Sequence, residues 1–325
     1  MRSPTLLRGP GLLGLCLGAA FSMAPLQAEA RCDSDVALHA CVNADSLWLS
    51  PKWGRFLMLG STESLNPGSF ALATSTTVIS RPVVLRVPSP SSPLEVAAVD
   101  KAVHLGISAS VGLAKNWELG GVIPLTLYQS GAGVRPYLSS NAEMLPSAAL
   151  RDPRLGSGFT LVTRDSGSDE GFAMAARIDV SLPIGDEEAF ASEPGPAFAP
   201  ALTAEYRSGA LHFGAEAGAR LRTATDFATA RFGSQAVFAF GMAADVMDDA
   251  LSFGIEAMAL PVLLSQPTGE ALVPAEWMAT ARSVPFSNGN WAAMLGAGTA
   301  LPLPEAAMTA PAWRAVFSIQ YNTNP

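Results

Sequence analysis

The sequence predicts an all-β protein, a transmembrane up-and-down antiparallel β-barrel of about twelve strands. Three observations predict this fold. Apolar residues recur at every second position in successive segments, the chain is too poor in charge for an ordinary soluble domain, and long connections alternate with short ones. Strands that alternate in this way can present one face to lipid and the other to an enclosed interior.

Residues 1–30 have the order of a secretory signal peptide. Arg2 and Arg8 form a short positive region, and an apolar run over residues 11–21 is too short to span a membrane as a helix. Ala28-Glu29-Ala30 is an A-x-A cleavage site. We therefore expect export, with cleavage after Ala30.

The next segment, residues 31–69, lacks the alternating pattern and is expected to form an N-terminal periplasmic segment or a plug. It contains Cys32 and Cys41, the two cysteines that remain after cleavage. In an oxidising compartment two thiols most simply form a disulfide, here one that closes a small loop. A metal site would need more ligands, and His39 alone does not supply them.

Composition favours a barrel for residues 70–325. Charged residues make up 15% of the chain and the mean hydropathy is +0.27, yet no second long apolar stretch follows the signal peptide. Barrel strands reconcile these facts because they expose apolar residues only at alternate positions. The net charge is −8, and removing Arg2, Arg8 and Glu29 makes it −9. With only three lysines, such a chain is a poor nucleic-acid binder.

The clearest alternation runs from Leu211 to Arg222, where odd positions are apolar and even positions are charged, histidine or glycine. The preceding segment alternates from Phe198 to Arg207, and Ser208-Gly209 connects the two as a tight turn. A helix of the same sequence would spread its charges over every face. These residues therefore predict a β-hairpin with one apolar and one charged face.

Further segments repeat the alternation. Those beginning at Val103, Trp117 and Phe172 do so clearly, with Glu118, Thr126 and Tyr128 on the polar side of the second. Other candidate strands begin near Phe70, Pro153, Ser234, Leu251, Val273, Trp291 and Trp313. Together they give about twelve strands.

The connections between these strands alternate in length. Tight turns are predicted at residues 114–116, 208–209 and 248–249, and long loops at residues 87–100, 129–151, 185–196 and 223–232. Outer-membrane barrels sort their connections in this way, with short periplasmic turns and longer extracellular loops.

Charged residues share the side opposite the apolar face. An arginine on the lipid face near the midplane would cost about 2–4 kcal/mol, so the charged side is predicted to be the lumen. The predicted lumen-lining residues are His104, Arg177, Asp179, Glu205, Arg207, His212, Glu216, Arg220, Arg222, Glu256 and Arg282. We expect interleaved ion pairs around a narrow or occluded pore, or, alternatively, solvated residues with no substrate role.

Aromatic residues cluster near predicted strand ends, as interfacial girdles do. The six tryptophans are Trp48, Trp53, Trp117, Trp277, Trp291 and Trp313.

Four segments carry a family resemblance: NWELGGVIPLTLYQSG, RDPRLGSGF, EGFAMAARIDVSLPIGDEEAF and GALHFGAEAGARLR. They resemble the N-terminal barrel half of certain OmpA-family outer-membrane proteins and barrels grouped with phenol-degradation outer-membrane proteins. The resemblance covers residues 65–321 and implies a structural or transport barrel without catalytic residues. Because about four residues follow the last predicted strand, the peptidoglycan-binding domain that OmpA-family proteins usually carry is not expected here. That strand, WRAVFSIQY, is similar to the C-terminal signal read by the barrel assembly machinery.

An enzyme is not expected. His39, His104 and His212 are the only histidines, and no Gly-x-Ser-x-Gly elbow or phosphate loop occurs. Asp186-Glu187-Glu188 could bind Ca²⁺ but is more simply a solvated loop. No cofactor is expected.

We thus expect an outer-membrane, Gram-negative, porin-like barrel with a charged lumen. Its expected partners are outer-membrane lipid, the assembly machinery and a small solute. A carrier for a hydrophobic small molecule and a soluble secreted all-β binding protein remain as alternatives.

Overall fold

The computed structural model describes residues 40–52, 54–87, 94–134, 144–164, 170–228, 230–246, 251–269, 271–283, 286, 290–302 and 309–323. Over these ranges no helix has the length and apolarity that are needed to cross a membrane.

Fifteen strands are present in the described residues. They are β1 (Phe70–Val87), β2 (Leu94–Ala114), β3 (Trp117–Ser130), β4 (Ala149–Leu150), β5 (Arg154–Val162), β6 (Gly171–Ser181), β7 (Ala197–Ser208), β8 (Leu211–Arg220), β9 (Thr225–Phe227), β10 (Ala230–Phe232), β11 (Gln235–Val246), β12 (Leu251–Ala259), β13 (Ala275–Ser283), β14 (Trp291–Ala300) and β15 (Trp313–Asn322). One short 3-10 helix covers Glu187–Ala189.

Within the described part of the chain, twelve strands form a closed ring in which each strand is antiparallel to its neighbours. The order is β1, β2, β3, β5, β6, β7, β8, β11, β12, β13, β14 and β15. Closure comes from the first and last strands, which pair from Ala71 with Asn322 to Ser80 with Trp313. A closed sheet leaves no unpaired edge, as a bilayer requires. The structure therefore confirms the predicted up-and-down barrel.

The connections are sorted between the two ends of the barrel. At one end, which we call the short-turn end, lie the turns after β2 and β7, where Asn116 and Gly209 have positive φ values of 66° and 57°. At the other, the long-loop end, lie the connections after β3, β6, β8, β12 and β14. The first residue of β1 and the last of β15 lie at the short-turn end.

Two predicted loops contain regular structure. Residues 94–100, predicted as loop, extend β2 and pair with the end of β1, across irregularities near Arg81, whose φ is 50°. Residues 223–232 contain the β9–β10 hairpin. Prolines and serines near residue 90 led to the prediction of a loop over residues 87–100. Residues of this kind do not prevent a nearby segment from pairing once a neighbouring strand is present.

The prediction that Tyr128 faces the polar side is wrong. Between Val103 and His104 the β2–β3 register shifts, so that Leu127 has no partner and Tyr128 pairs with Val103. The inserted residue reverses the alternation, because side chains of a strand change face at every residue. Leu127 and Tyr128 are both exposed, and Gln129 is buried instead.

Apolar side chains cover the outside of the barrel. Exposed members include Ile123, Phe213, Phe240, Phe253 and Phe317, each on a different strand. Trp117, Trp291 and Trp313 are exposed at strand ends, as interfacial aromatic residues are. A belt of this extent would be unfavourable in water.

Candidate functional site: the barrel lumen

The residues predicted to line the lumen are buried or half-buried, whereas their neighbours along the strands are half-buried or exposed. The buried ones are His104, Asp179, Glu205, His212, Glu216, Arg220 and Glu256. Arg177, Arg207, Arg222 and Arg282 are half-buried.

Residues 40–69, which we call the lumen segment, cross the interior from one end of the barrel to the other. The Ala44 N–H donates to Phe190 O at 3.0 Å, in the connection after β6 at the long-loop end. The Gly68 N–H donates to Gly112 O at 2.9 Å, beside the tight turn after β2. Between these points the described residues form no helix or strand.

Because the lumen segment has no strand or helix, its backbone polar groups need other partners. Carboxylates of the wall accept many of its N–H groups. Glu256 accepts from Leu57 at 3.0 Å and from Met58 at 2.7 Å. Glu216 accepts from Gly60 at 2.7 Å, and Glu118 accepts from Leu65 at 2.9 Å. The barrel wall therefore holds the segment by its backbone.

Arginines of the wall bind its carbonyl groups. Arg220 donates to Ser46 O at 2.7 Å and Arg154 donates to Leu49 O at 3.1 Å. The same two guanidinium groups lie over the Trp48 ring, at 4.4 Å and 5.0 Å from its centroid. The expectation that Trp48 belongs to an interfacial girdle is therefore wrong, because its ring lies inside the barrel.

An ion-pair network fixes the lumen segment near the long-loop end. Asp45 lies 2.8 Å from an Arg314 nitrogen and 3.0 Å from His104 Nδ1, and Arg314 also binds Glu276 at 2.8 Å. Burial opposes ionisation of Asp45, but Arg314 and His104 outweigh it and hold the pKa of this carboxyl well below its usual value.

Two further ion-pair networks line the wall between the Asp45 network and the short-turn end. Arg177 binds Asp179 at 2.8 Å and lies 3.5 Å from Glu216. Nearer the short-turn end, Asp245 binds Arg55 of the lumen segment at 2.6 Å and His212 at 2.7 Å. Charges of both signs therefore alternate along the lumen.

One side of the lumen is apolar, which the sequence reasoning missed. Phe56, Leu57, Met58 and Leu59 of the lumen segment are fully buried there. Their partners in the wall lie on β1, on β11 to β15 and directly after β12. They are Ala73, Val237, Ala239, Ala243, Met258, Leu260, Met278, Ala292, Met294 and Val316. Strands with apolar residues on both faces give no alternation to show which residues face inward.

Glycines of the wall make room for the Phe56 ring. A Cβ added to Gly241 would lie 2.5 Å from Phe56 Cδ1, and one added to Gly214 would lie 2.6 Å from Phe56 Cε2. These two glycines of the wall thus make room for a side chain of the lumen segment.

A second apolar core closes the long-loop end. Val42 of the lumen segment packs there with Ile79, Val99 and Phe190, and Phe190 contacts Phe227 edge-on at 5.8 Å between ring centroids. In the same connection, Asp186 caps the short helix by accepting from the Glu188 N–H, so its carboxylate is engaged locally.

Two small cavities lie between the lumen segment and the wall. One has a volume of about 50 Å³ and lies beside Trp48 and Arg154, and another has about 20 Å³ and lies beside Arg177. Among the described residues, no group of three His, Cys, Asp or Glu side chains is placed to hold a metal ion. Cys41 is disulfide-bonded, while Cys32, His39 and Trp53 lie outside the described residues.

Comparison with known proteins bears on the fold. No protein family and no curated protein matches the sequence. An outer membrane channel from Pseudomonas putida F1 superposes with a TM-score of 0.59 at 12% identity, over 81% of this chain and 98% of that one. The chain has the fold of an outer-membrane barrel. The NanC porin gives a TM-score of 0.46 at 7% identity over 77% of this chain and 98% of that one. The KdgM porin gives 0.43 at 8% over 78% and 98%.

Proposed function

We propose that the protein is a porin-like passive-transport barrel of the Gram-negative outer membrane, closed by its lumen segment. The observation that carries this proposal is the segment itself. It crosses the interior, yet it belongs to no wall strand, and between its two ends it is held mainly by side chains of the wall. A barrel of eight strands is just filled by its own side chains, and the interior widens with strand number. Twelve strands would therefore leave a pore if the segment moved.

The proposed location follows from the exposed apolar belt, which outer-membrane lipid would cover. Residues 31–69 would then act as the plug, and the barrel assembly machinery would insert the chain. Kinship with OmpA-family barrels rests on short sequence segments and stays a prediction, as does the absence of enzymatic activity. A soluble binding protein is disfavoured by the exposed Phe213, Phe240 and Phe253.

Planar-bilayer recording tests the proposal. Substituting serine for Phe56, Leu57, Met58 and Leu59 removes the apolar anchor of the lumen segment, and we expect a larger and more persistent conductance than the wild type gives. Glu63→Ser is the control, because the side chain of Glu63 is largely exposed. Unchanged conductance in the anchor variant, with normal barrel formation, would contradict gating by this segment.

A carrier for a hydrophobic small molecule is the second candidate. It is favoured by the apolar side of the lumen, where Met258, Met278 and Met294 surround the anchor of the lumen segment. Methionines adapt to ligands of varied shape. An apolar fluorescent probe should bind the serine variant and not the wild type if this surface is a ligand site.

A further inference from the structure

Two buried arginines of the wall have no carboxylate oxygen within 4 Å among the described residues. Arg154, at the start of β5, and Arg220, at the end of β8, are 9% and 5% exposed. The neighbouring acids are bound elsewhere: Asp179 pairs with Arg177, and Glu193 pairs with Arg222. An arginine stays charged when buried, and a buried charge is costly without a partner.

The groups that cover these arginines come from the lumen segment and carry no charge. They are the Ser46 and Leu49 carbonyl oxygens and the indole ring of Trp48. A carbonyl dipole and an aromatic face attract a cation, yet neither neutralises it. If the segment moved, both guanidinium groups, which now lie 4.4 Å and 5.0 Å from the centroid of one ring, would face the lumen.

We propose that Arg154 and Arg220 form a binding site for small organic carboxylates, which Trp48 and the two carbonyls cover while the barrel is closed. Guanidinium groups bind carboxylates through paired hydrogen bonds and also stack on planar rings. An aromatic carboxylate could satisfy both preferences in the space that the indole occupies. This proposal depends on the proposed function in one respect: in the wild type, the site is exposed when the barrel opens.

A Trp48→Ala variant of the full chain tests the site without requiring the barrel to open. Removing the ring leaves a space beside the two guanidinium groups, and calorimetry in detergent should then show binding of benzoate. Benzyl alcohol is the matched ligand, since it has nearly the same shape and no charge. We expect benzoate to bind at least about tenfold more tightly, which corresponds to roughly 1.4 kcal/mol.

Adding Arg154→Gln and Arg220→Gln to that variant should abolish the preference for benzoate. Arg81→Gln with Arg231→Gln is the control, because it removes two exposed arginines that pair with Glu95 and Asp226. Equal binding of the two ligands, or a preference that survives loss of both lumen arginines, would overturn the proposal.

Reversal potentials provide a second measurement, for which single substitutions suffice. In a salt gradient, the conducting serine variant should prefer chloride to potassium less strongly when it carries Arg154→Gln, but not when it carries Arg81→Gln. Benzoate binding without conductance would refute the transport function alone. Conductance with no effect of Arg154→Gln, together with equal binding of benzoate and benzyl alcohol, would refute the carboxylate site alone.

Discussion

At the residue scale, individual charged side chains hold the lumen segment in place through different kinds of contact. Glu256 is 1% exposed and accepts two consecutive N–H groups of the lumen segment. Asp45, by contrast, is bound to Arg314 by an ion pair and to His104 Nδ1 by a hydrogen bond. The two carboxylates thus hold the same segment in different ways, and each contact can be removed separately.

Replacing Glu256 by glutamine should loosen the lumen segment. The Leu57 and Met58 N–H groups bind different oxygens of Glu256. In a glutamine one of these oxygens becomes an NH₂ group, which donates and cannot accept. We expect a loss of about 1–3 kcal/mol in the stability of the closed form, because one buried N–H group would lose its acceptor. Limited trypsin digestion should cut faster after Lys52 and Arg55 in Glu256→Gln than in Glu95→Gln, the exposed control. Equal cleavage rates would show that Glu256 does not hold the segment.

The Asp45 network should make its stability contribution insensitive to mild acid. Since the folded pKa lies well below the usual value, the contribution is complete above the unfolded pKa and is lost as the pH falls through the folded pKa. Urea unfolding of the wild type and of Asp45→Asn should therefore differ by a constant amount from pH 8 to 5. The difference should shrink below about pH 4. A difference that already disappears near pH 6 would rule out this network as its source.

At the element scale, the strands divide the lumen into a charged side and an apolar side. Strands β3 to β8 carry most of the ion-paired residues, whereas β11 to β15 supply Met258, Met278, Met294 and Val316 against the anchor of the lumen segment. Glycines on β8 and β11 leave the depression that the Phe56 ring fills. Packing in this depression and the hydrogen bonds to Glu256 together fix where the anchor lies.

A Gly241→Ala substitution should push Phe56 out of its depression. The new Cβ would lie 2.5 Å from the Phe56 ring, and overpacking of this kind costs about 1–3 kcal/mol. Urea unfolding in lipid vesicles should show that loss. Combining Gly241→Ala with Phe56→Ala relieves the clash, so the two substitutions should cost less together than the sum of their separate effects. Strictly additive effects would mean that the two groups do not meet.

At the scale of the whole molecule, closure of β1 on β15 joins the ends of the wall around a segment that immediately precedes β1. The lumen segment is fixed at the long-loop end by Val42 and Ala44 and at the short-turn end by Gly68. We infer that the segment is already inside when the last strand pair forms, because otherwise the preceding chain would have to thread the finished barrel.

The intact barrel should show heat-modifiable mobility on gels. An unboiled sample from an outer-membrane fraction keeps its closed sheet in detergent and should migrate differently from a boiled one. Val316→Pro, in the middle of β15, removes a backbone N–H that the wall needs and should lower the temperature at which the mobility changes. Leu295→Ala, on the exposed face of β14, is the control. Identical migration with and without boiling would contradict the closed barrel.

The sequence by itself determined the barrel and most strands of its wall, and it predicted the side on which the charges lie. Alternation was sufficient because lipid and lumen impose opposite demands on successive side chains, as in Leu211–Arg220. It failed at Tyr128, where a single inserted residue reversed the faces, and in strands such as β14 that are apolar on both faces. Only the tertiary structure decided that Trp48, Phe56 and Leu57 fill the interior, and that Arg154 and Arg220 meet over one ring. Those contacts join residues that are far apart in the chain. The lumen segment has an irregular backbone, so no repeating pattern in its sequence predicts which side chains face the wall.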